Sequence, residues 1–269
     1  MWISAQLGSF IHCLPDFYAV KIISYPHFSV LLYKKECLIL TRKLKIATVF
    51  TVIAAIVTSF SALFAKPLGA FLYSEQNLGT VICIDAGHGG IDNGVYGITS
   101  GMAEAKINLE IARYLKTDLE ALGFSVVLTR ENDDGLYGDT SRGFKRRDMT
   151  KRKEIATKCN AKIVVSIHCN YNLSKTAKGI AVYYNPSDEL STYTANEFAK
   201  KLTPLSAKNV RLDKEKMFMT YDLGLPAVLI ECGFLSNAED EKLLLDENYK
   251  KKLSKEMAKT LFGVFLSLE

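Results

Sequence analysis

No two of the six cysteines, Cys13, Cys37, Cys83, Cys159, Cys169 and Cys232, form a CxxC pair, so nothing in the chain suggests a zinc ribbon or a thioredoxin-like redox centre. A disulfide framework is not expected at 269 residues. Charge of one sign is also lacking: 34 Lys and Arg against 29 Asp and Glu leave a net charge of +5, too balanced for a dedicated nucleic-acid binder. No internal repeat and no low-complexity segment is present, and histidine occurs only four times. The chain does carry 48% hydrophobic and 23% charged residues. That fills one core and excludes a disordered or collagen-like protein.

Composition changes near residue 80. Residues 46–65 form a run of twenty without a charge, behind Arg42, Lys43 and Lys45. Such a run is just long enough to cross the roughly 30 Å hydrocarbon layer, and the basic cluster assigns its N-terminal side to the cytoplasm and everything after Lys66 to the outside. A buried core helix is the alternative. Only Ser59-Phe60-Ser61 resembles a cleavage site, and no cysteine follows the run to take a lipid, so it is read as an uncleaved anchor. Residues 1–45 are an N-terminal segment with a basic flank; Met1 to about Leu38 is either an over-extended start or a second interfacial segment. Residues 66–79 are a tether to the domain at 80–269.

From Thr80 the pattern is α/β. Val81–Ile84, Phe124–Leu128, Ile163–Ile167 and Ala227–Ile230 are short apolar, β-branched runs of the kind that form buried strands. Ala103–Leu122 carries apolar residues at helical spacing and stops at Gly123, and further helices are expected at Glu189–Leu205 and Asp240–Leu268. Strand, helix and strand in alternation imply a single domain with a central, mostly parallel or mixed sheet flanked by helices.

In such a sheet, chemistry collects beyond the carboxyl ends of the strands. The first of these loops is Asp85-Ala86-Gly87-His88-Gly89-Gly90-Ile91-Asp92-Asn93-Gly94. It matches neither glycine-rich phosphate fingerprint, so the histidine is read as a ligand with room around it. Another strand ends in Ser166-Ile167-His168-Cys169-Asn170. One strand-end histidine is more often a satisfied core residue, but two in one sheet point to a metal. Zinc takes neutral imidazoles and carboxylates and leaves a position open for catalysis. Glu104, at the start of the first helix, is the candidate third ligand. By spacing alone it is equally a carboxylate that suits the helix macrodipole. Cys169 and Cys232 each follow a candidate residue in a strand, so they point to the opposite face and are read as core fillers. Glu231 emerges from an apolar strand into Cys232-Gly233-Phe234-Leu235-Ser236-Asn237. A carboxylate there is costly to bury without a positive partner such as a zinc ion, a lysine or an arginine.

From about Val81 to Leu266 the chain resembles the zinc-dependent N-acetylmuramoyl-L-alanine amidases that cut bacterial peptidoglycan. The likeness rests on four ordered motifs: Asp85-Ala86-Gly87-His88-Gly89-Gly90, Glu104 with Asn108, Ser166-Ile167-His168-Cys169-Asn170, and Glu231-Cys232-Gly233-Phe234-Leu235-Ser236-Asn237. The resemblance implies that His88, Glu104 and His168 hold one zinc and that Glu231 is the catalytic carboxylate, which decides the tie at Glu104. Within the family the chain is most similar to the germination-specific spore-cortex amidases, through the short anchor before the domain, Leu128-Thr129-Arg130-Glu131-Asn132-Asp133, and the basic stretch from Ser141 to Arg147 leading to Arg152. In that group the cut prepares muramic acid for closure to the δ-lactam.

Peptidoglycan is therefore the expected partner, nucleic acid is not, the membrane is met through the N-terminal segment, and an activating protein is not legible. Arg130, Arg152 and the Arg142–Arg147 cluster are candidates for stem-peptide carboxylates, set against a solvated basic surface loop; Asp92 and Asn170 complete the candidate substrate contacts. The competing readings are a general vegetative-wall amidase, a zinc peptidase acting within the stem peptide, and a non-catalytic wall-binding protein.

Overall fold

The computed structural model describes residues 42–56 and 79–268. Residues 42–56 are helical (α1) and belong to a unit separate from the rest. The apolar side chains of α1, Phe50 among them, are exposed, and Thr48 and Thr51 spend their hydroxyls on the carbonyls of Leu44 and Ala47 one turn back. Among the described residues no helix is long and apolar enough to cross a membrane. The second part of the expected anchor, residues 57–65, lies outside the described residues, as do residues 1–41 and most of the tether.

The second unit is built on a six-stranded sheet in the order β2-β1-β3-β6-β4-β5. The strands are β1 (Val81–Ala86), β2 (Ser125–Leu128), β3 (Ile163–Asn170), β4 (Ala181–Tyr184), β5 (Arg211–Asp213) and β6 (Ala227–Phe234). Neighbouring strands run parallel throughout except for β4 against β6. The helices are α2 (Glu104–Glu120), α3 (Phe144–Lys158), α4 (Glu189–Leu202), α5 (Ala238–Leu245) and α6 (Glu247–Leu266).

Period-two alternation divides the sheet between two cores. Ile82, Ile84, Ile163, Val165, Ile167, Val228 and Ile230 face the main core with α2, α4 and α6. Cys83, Val164 and Ala227 face the other way, against Ala156 of α3 and Met219 of a short π-helical turn at Phe218–Asp222. On this second face the same alternation places Asp85, Ser166, His168 and Glu231 at the carboxyl edge of three adjacent strands.

The four strands expected from sequence are present, and β1, β3 and β6 run further than their apolar runs, so that His168, Asn170 and Glu231 are strand residues rather than loop residues. Three differences have physical causes. The expected C-terminal helix is two, because Asp246 takes an extended conformation and caps the second by accepting the Asn248 N–H at 2.8 Å. The basic stretch around Arg142–Arg147 opens a helix, α3, whose polar sequence hides a narrow buried side of Asp148, Arg152 and Ala156. Strands β4 and β5 are only four and three residues long, too short for a periodic signal.

Candidate active site

His88 follows β1 in a loop that doubles back on itself: Gly89 and Asp92 exchange backbone hydrogen bonds of 2.8 and 3.1 Å. His88 has φ +62°, a left-handed conformation that costs a non-glycine residue about 1–3 kcal/mol and so requires support. Support comes from Arg152, whose Nη2 donates to the His88 carbonyl at 2.5 Å, and from Asp92, whose Oδ2 lies 3.1 Å from Nδ1 of His88. The Asp92 contact turns Nε2 of His88 toward Oε2 of Glu104, 3.3 Å away. His168, projecting from β3, brings Nδ1 to 3.1 Å from Oε1 of the same carboxylate. One ligand atom from each of His88, Glu104 and His168 lies within 4.8 Å of the other two.

Glu104 is held firmly in place. It is buried at the first turn of α2, where Oε1 accepts from the Cys169 N–H (3.1 Å) and Asn108 Nδ2 (3.2 Å) and Oε2 accepts from the Val95 N–H (3.0 Å). Burial would raise its pKa, but the hydrogen bonds and charges of His168 and His88 outweigh burial and hold the carboxyl far below its usual range. Two glycines make the approach possible. A Cβ on Gly87 would lie 2.3 Å from the His168 ring, and one on Gly94 (φ +68°) 2.4 Å from Glu104 Oε2.

Two imidazoles and a carboxylate are the donor set of open catalytic zinc sites, and here the two rings approach the two oxygens of one carboxylate at 3.1 and 3.3 Å. The cluster is compatible with a bound metal ion. Glu231 points to the same conclusion from the other side. It stands opposite His168 in the β3–β6 register, its Oε2 is buried with no hydrogen-bond partner, and burial, with the Glu104 charge added, pushes its carboxyl up to about 7 against the pull of His168 and His88. A buried carboxylate oxygen left this way suits a nearby cation.

Beneath the loop lies a buried ionic network. Arg152, 1% exposed, donates to Asp148 Oδ2 (2.5 Å), Asp85 Oδ1 (2.7 Å) and the Ala86 carbonyl (2.7 Å). Asp85 also accepts from the hydroxyls of Thr129 (2.7 Å) and Ser166 (2.6 Å). Burial alone would raise its carboxyl, yet Arg152, the Ser166 hydroxyl and the His168 charge hold it at about 2. Arg130 grips the loop from the other flank, donating to the carbonyls of Ala86 (2.9 Å), Gly87 (3.0 Å) and Ala105 (2.6 Å).

The sequence matches the N-acetylmuramoyl-L-alanine amidase family over residues 82–262, which hold every one of these side chains. The chain belongs to that family. It is thereby classed as an enzyme, a zinc amidohydrolase. The germination-specific N-acetylmuramoyl-L-alanine amidase of Bacillus subtilis (strain 168) is 28% identical over 194 residues, covering 70% of this chain and 80% of that protein. LytC, an N-acetylmuramoyl-L-alanine amidase of the same strain, is 32% identical over 180 residues, 65% of this chain, but this chain spans only 33% of LytC. Among solved structures, the CwlD amidase of Clostridioides difficile, determined in complex with the GerS lipoprotein, is 33% identical with a TM-score of 0.65 over 71% of this chain and 100% of that one.

In this amidase the structure gathers His88, Glu104, His168 and Glu231 at one point, with Asp92 behind His88. Asn170 lies along the edge of β3, its Oδ1 accepting from the Tyr171 N–H at 2.8 Å. The remaining candidates for substrate contact, Arg130 and Arg152, are buried at 2% and 1%, and their donors are directed to the backbone of the His88 loop and to Asp85 and Asp148 rather than outward. Asp85 and Asp148 carry no role in the sequence reading. Asp85 had a usable signal, since it leaves an apolar strand as Glu231 does. Asp148 had none, being one acid in a basic helix. Beside the two histidines a pocket of about 270 Å³ opens between Tyr137, Phe144, Lys145 and Met217.

Proposed function

We propose that this amidase binds one zinc ion through His88, Glu104 and His168 and hydrolyses the amide between N-acetylmuramic acid and L-alanine in peptidoglycan, with Glu231 as general base and then general acid. The observation that carries the proposal is the buried, unpartnered Oε2 of Glu231, a residue standing across from His168. The chemistry zinc supplies when bound is Lewis acidity toward the scissile carbonyl and the attacking water. Glu231 takes the proton of that water at its carboxylate and returns it to the leaving alanine nitrogen. Asp92 holds the His88 ring, and the Arg152 and Arg130 guanidinium groups hold the loop that presents it. The products are a peptide-free muramic acid and a peptide beginning with L-alanine.

A role in the spore cortex, preparing muramic acid for δ-lactam closure, is favoured over the vegetative wall by similarity to the germination-specific enzyme of B. subtilis, four-fifths of whose length this chain covers. The uncharged run at 46–65 with its basic N-terminal flank supports an anchor that holds the domain outside the cytoplasmic membrane, where peptidoglycan lies. The GerS complex of the C. difficile CwlD amidase makes a lipoprotein partner a reasonable proposal for this chain as well. Digestion of purified cortex and vegetative peptidoglycan, with mass analysis of the new ends, tests the reaction: free L-alanine amino termini and peptide-free muramic acid are expected. Cleavage inside the stem peptide would instead establish a peptidase, and intact glycopeptides under zinc loading a binding protein.

A further inference from the structure

The registers of three strand pairs place four residues in one row across the sheet: His168 opposite Glu231, Glu231 opposite Ala181, and Ala181 opposite Arg211. Directly opposed residues share a face, so Arg211 stands on the catalytic face, two strand spacings or about 10 Å from Glu231. Between them in the row stands Ala181, itself buried beside Tyr183 and Leu229. We infer that Arg211 is a specificity-determining residue that binds a free carboxylate on the second or third residue of the peptide leaving the amide; this rests on the amidase reading above.

Three observations support it. First, the guanidinium is held in place: Nη2 donates to the Tyr183 hydroxyl at 2.7 Å, Nη1 lies 2.8 Å from Asp213 Oδ2, and the group sits 5.6 Å from the centre of the Tyr183 ring. Despite these contacts its side chain stays 55% exposed, so a carboxylate can reach the planar fork that suits it. Second, the pocket beside it, about 530 Å³, has Lys178, Lys208 and Arg211 among its lining residues together with Asn170, Asn172 and Asn209, and no Asp or Glu. Lys178 is paired with Glu239 at 2.7 Å and Arg211 with Asp213 at 2.8 Å, both acids lying outside that lining. The pocket beside the histidines carries Asp85, Asp92 and Asp148 in its wall together with Lys145 and Arg152. The acid-free lining favours an anion on the Arg211 side. Third, the lengths agree. The peptide begins at the scissile nitrogen and advances roughly 3.3–3.6 Å per residue when extended, so about 10 Å reaches its second or third residue. A stem peptide continued through a side-chain carboxyl leaves that residue's α-carboxylate free to be read.

The test is calorimetric binding of a tripeptide product beginning with L-alanine to the full-length chain, with its carboxylates free or converted one at a time to amides. The wild type should bind the free form about ten- to hundredfold more tightly than the form amidated at the recognised position, as one charge-assisted contact provides. Arg211→Ala should bind both forms equally, Arg211→Lys should retain part of the preference, and all three proteins should melt alike because the side chain is not in the core. A preference that survives in Arg211→Ala, or a wild type indifferent to amidation, overturns the inference. Release of the same peptides from muramic acid by the wild type, followed in parallel, reports separately on the amidase reading.

Discussion

Replacing Arg152 by Met keeps volume and removes the centre of the network under the His88 loop. Asp85, 1% exposed, would be left with the Thr129 and Ser166 hydroxyls alone, Asp148 with the Leu136 N–H at 2.5 Å, and the carbonyls of Ala86 and His88 with one donor fewer each. Breaking a buried pair from one side costs about 3–5 kcal/mol, because the remaining charge is stranded. Urea denaturation at pH 7 should show a loss of that size. The double variant Asp85→Asn/Arg152→Met removes the more deeply buried of the two stranded charges, leaving Asp148, and should regain about 1–3 kcal/mol of it. The pH dependence has a definite sign. In the wild type Asp85 is held at about 2, below its ordinary 3.8; at roughly 1.4 kcal/mol per unit this contributes about 2 kcal/mol, fully present above pH 4 and lost as pH falls toward 2. Without Arg152 burial governs the carboxyl and raises it, so the gap between variant and wild type should close on acidification. An Arg152→Met protein within about 1 kcal/mol of wild type at pH 7, or a double variant less stable than the single one, would refute this account of the network.

Glu231→Gln should leave zinc content and circular dichroism unchanged while lowering turnover about 100-fold or more, since the amide cannot accept the water's proton; near-normal turnover would place the base elsewhere. Gly87→Ala sets a methyl 2.3 Å from the His168 ring and should weaken zinc binding on the order of tenfold or more with little change in melting temperature, measured by competition with a chelator. His88→Ala and His168→Ala should each lose most of the metal in elemental analysis, and zinc content equal to wild type would remove them as ligands. Protease shaving of intact cells or forespores tests the anchor: the C-terminal domain should be cut without membrane disruption, and its protection would reverse the topology.

Local chemistry wrote much of the site into the sequence. Apolar, β-branched runs mark buried strands wherever they occur, and a histidine or carboxylate at the end of such a run is costly enough to announce itself, as His88, His168 and Glu231 do. The alternation of a strand also settled which way Cys169 and Cys232 face: both lie in the main core with Ile167 and Ile230. What the chain could not show locally depends on which strands become neighbours. Arg130 and Arg152 read as surface cations because nothing adjacent to them in sequence says that β1 ends above α3; folding brings Asp85 against Arg152 across 67 positions and turns two would-be substrate contacts into supports. Strands β4 and β5 are too short to carry a periodic signal, yet their pairing sets Arg211 in line with Glu231. Residue type and spacing singled out His88, His168 and Glu231 and left Glu104 open, whereas the charge environment of each is decided only when strands distant in sequence share an edge.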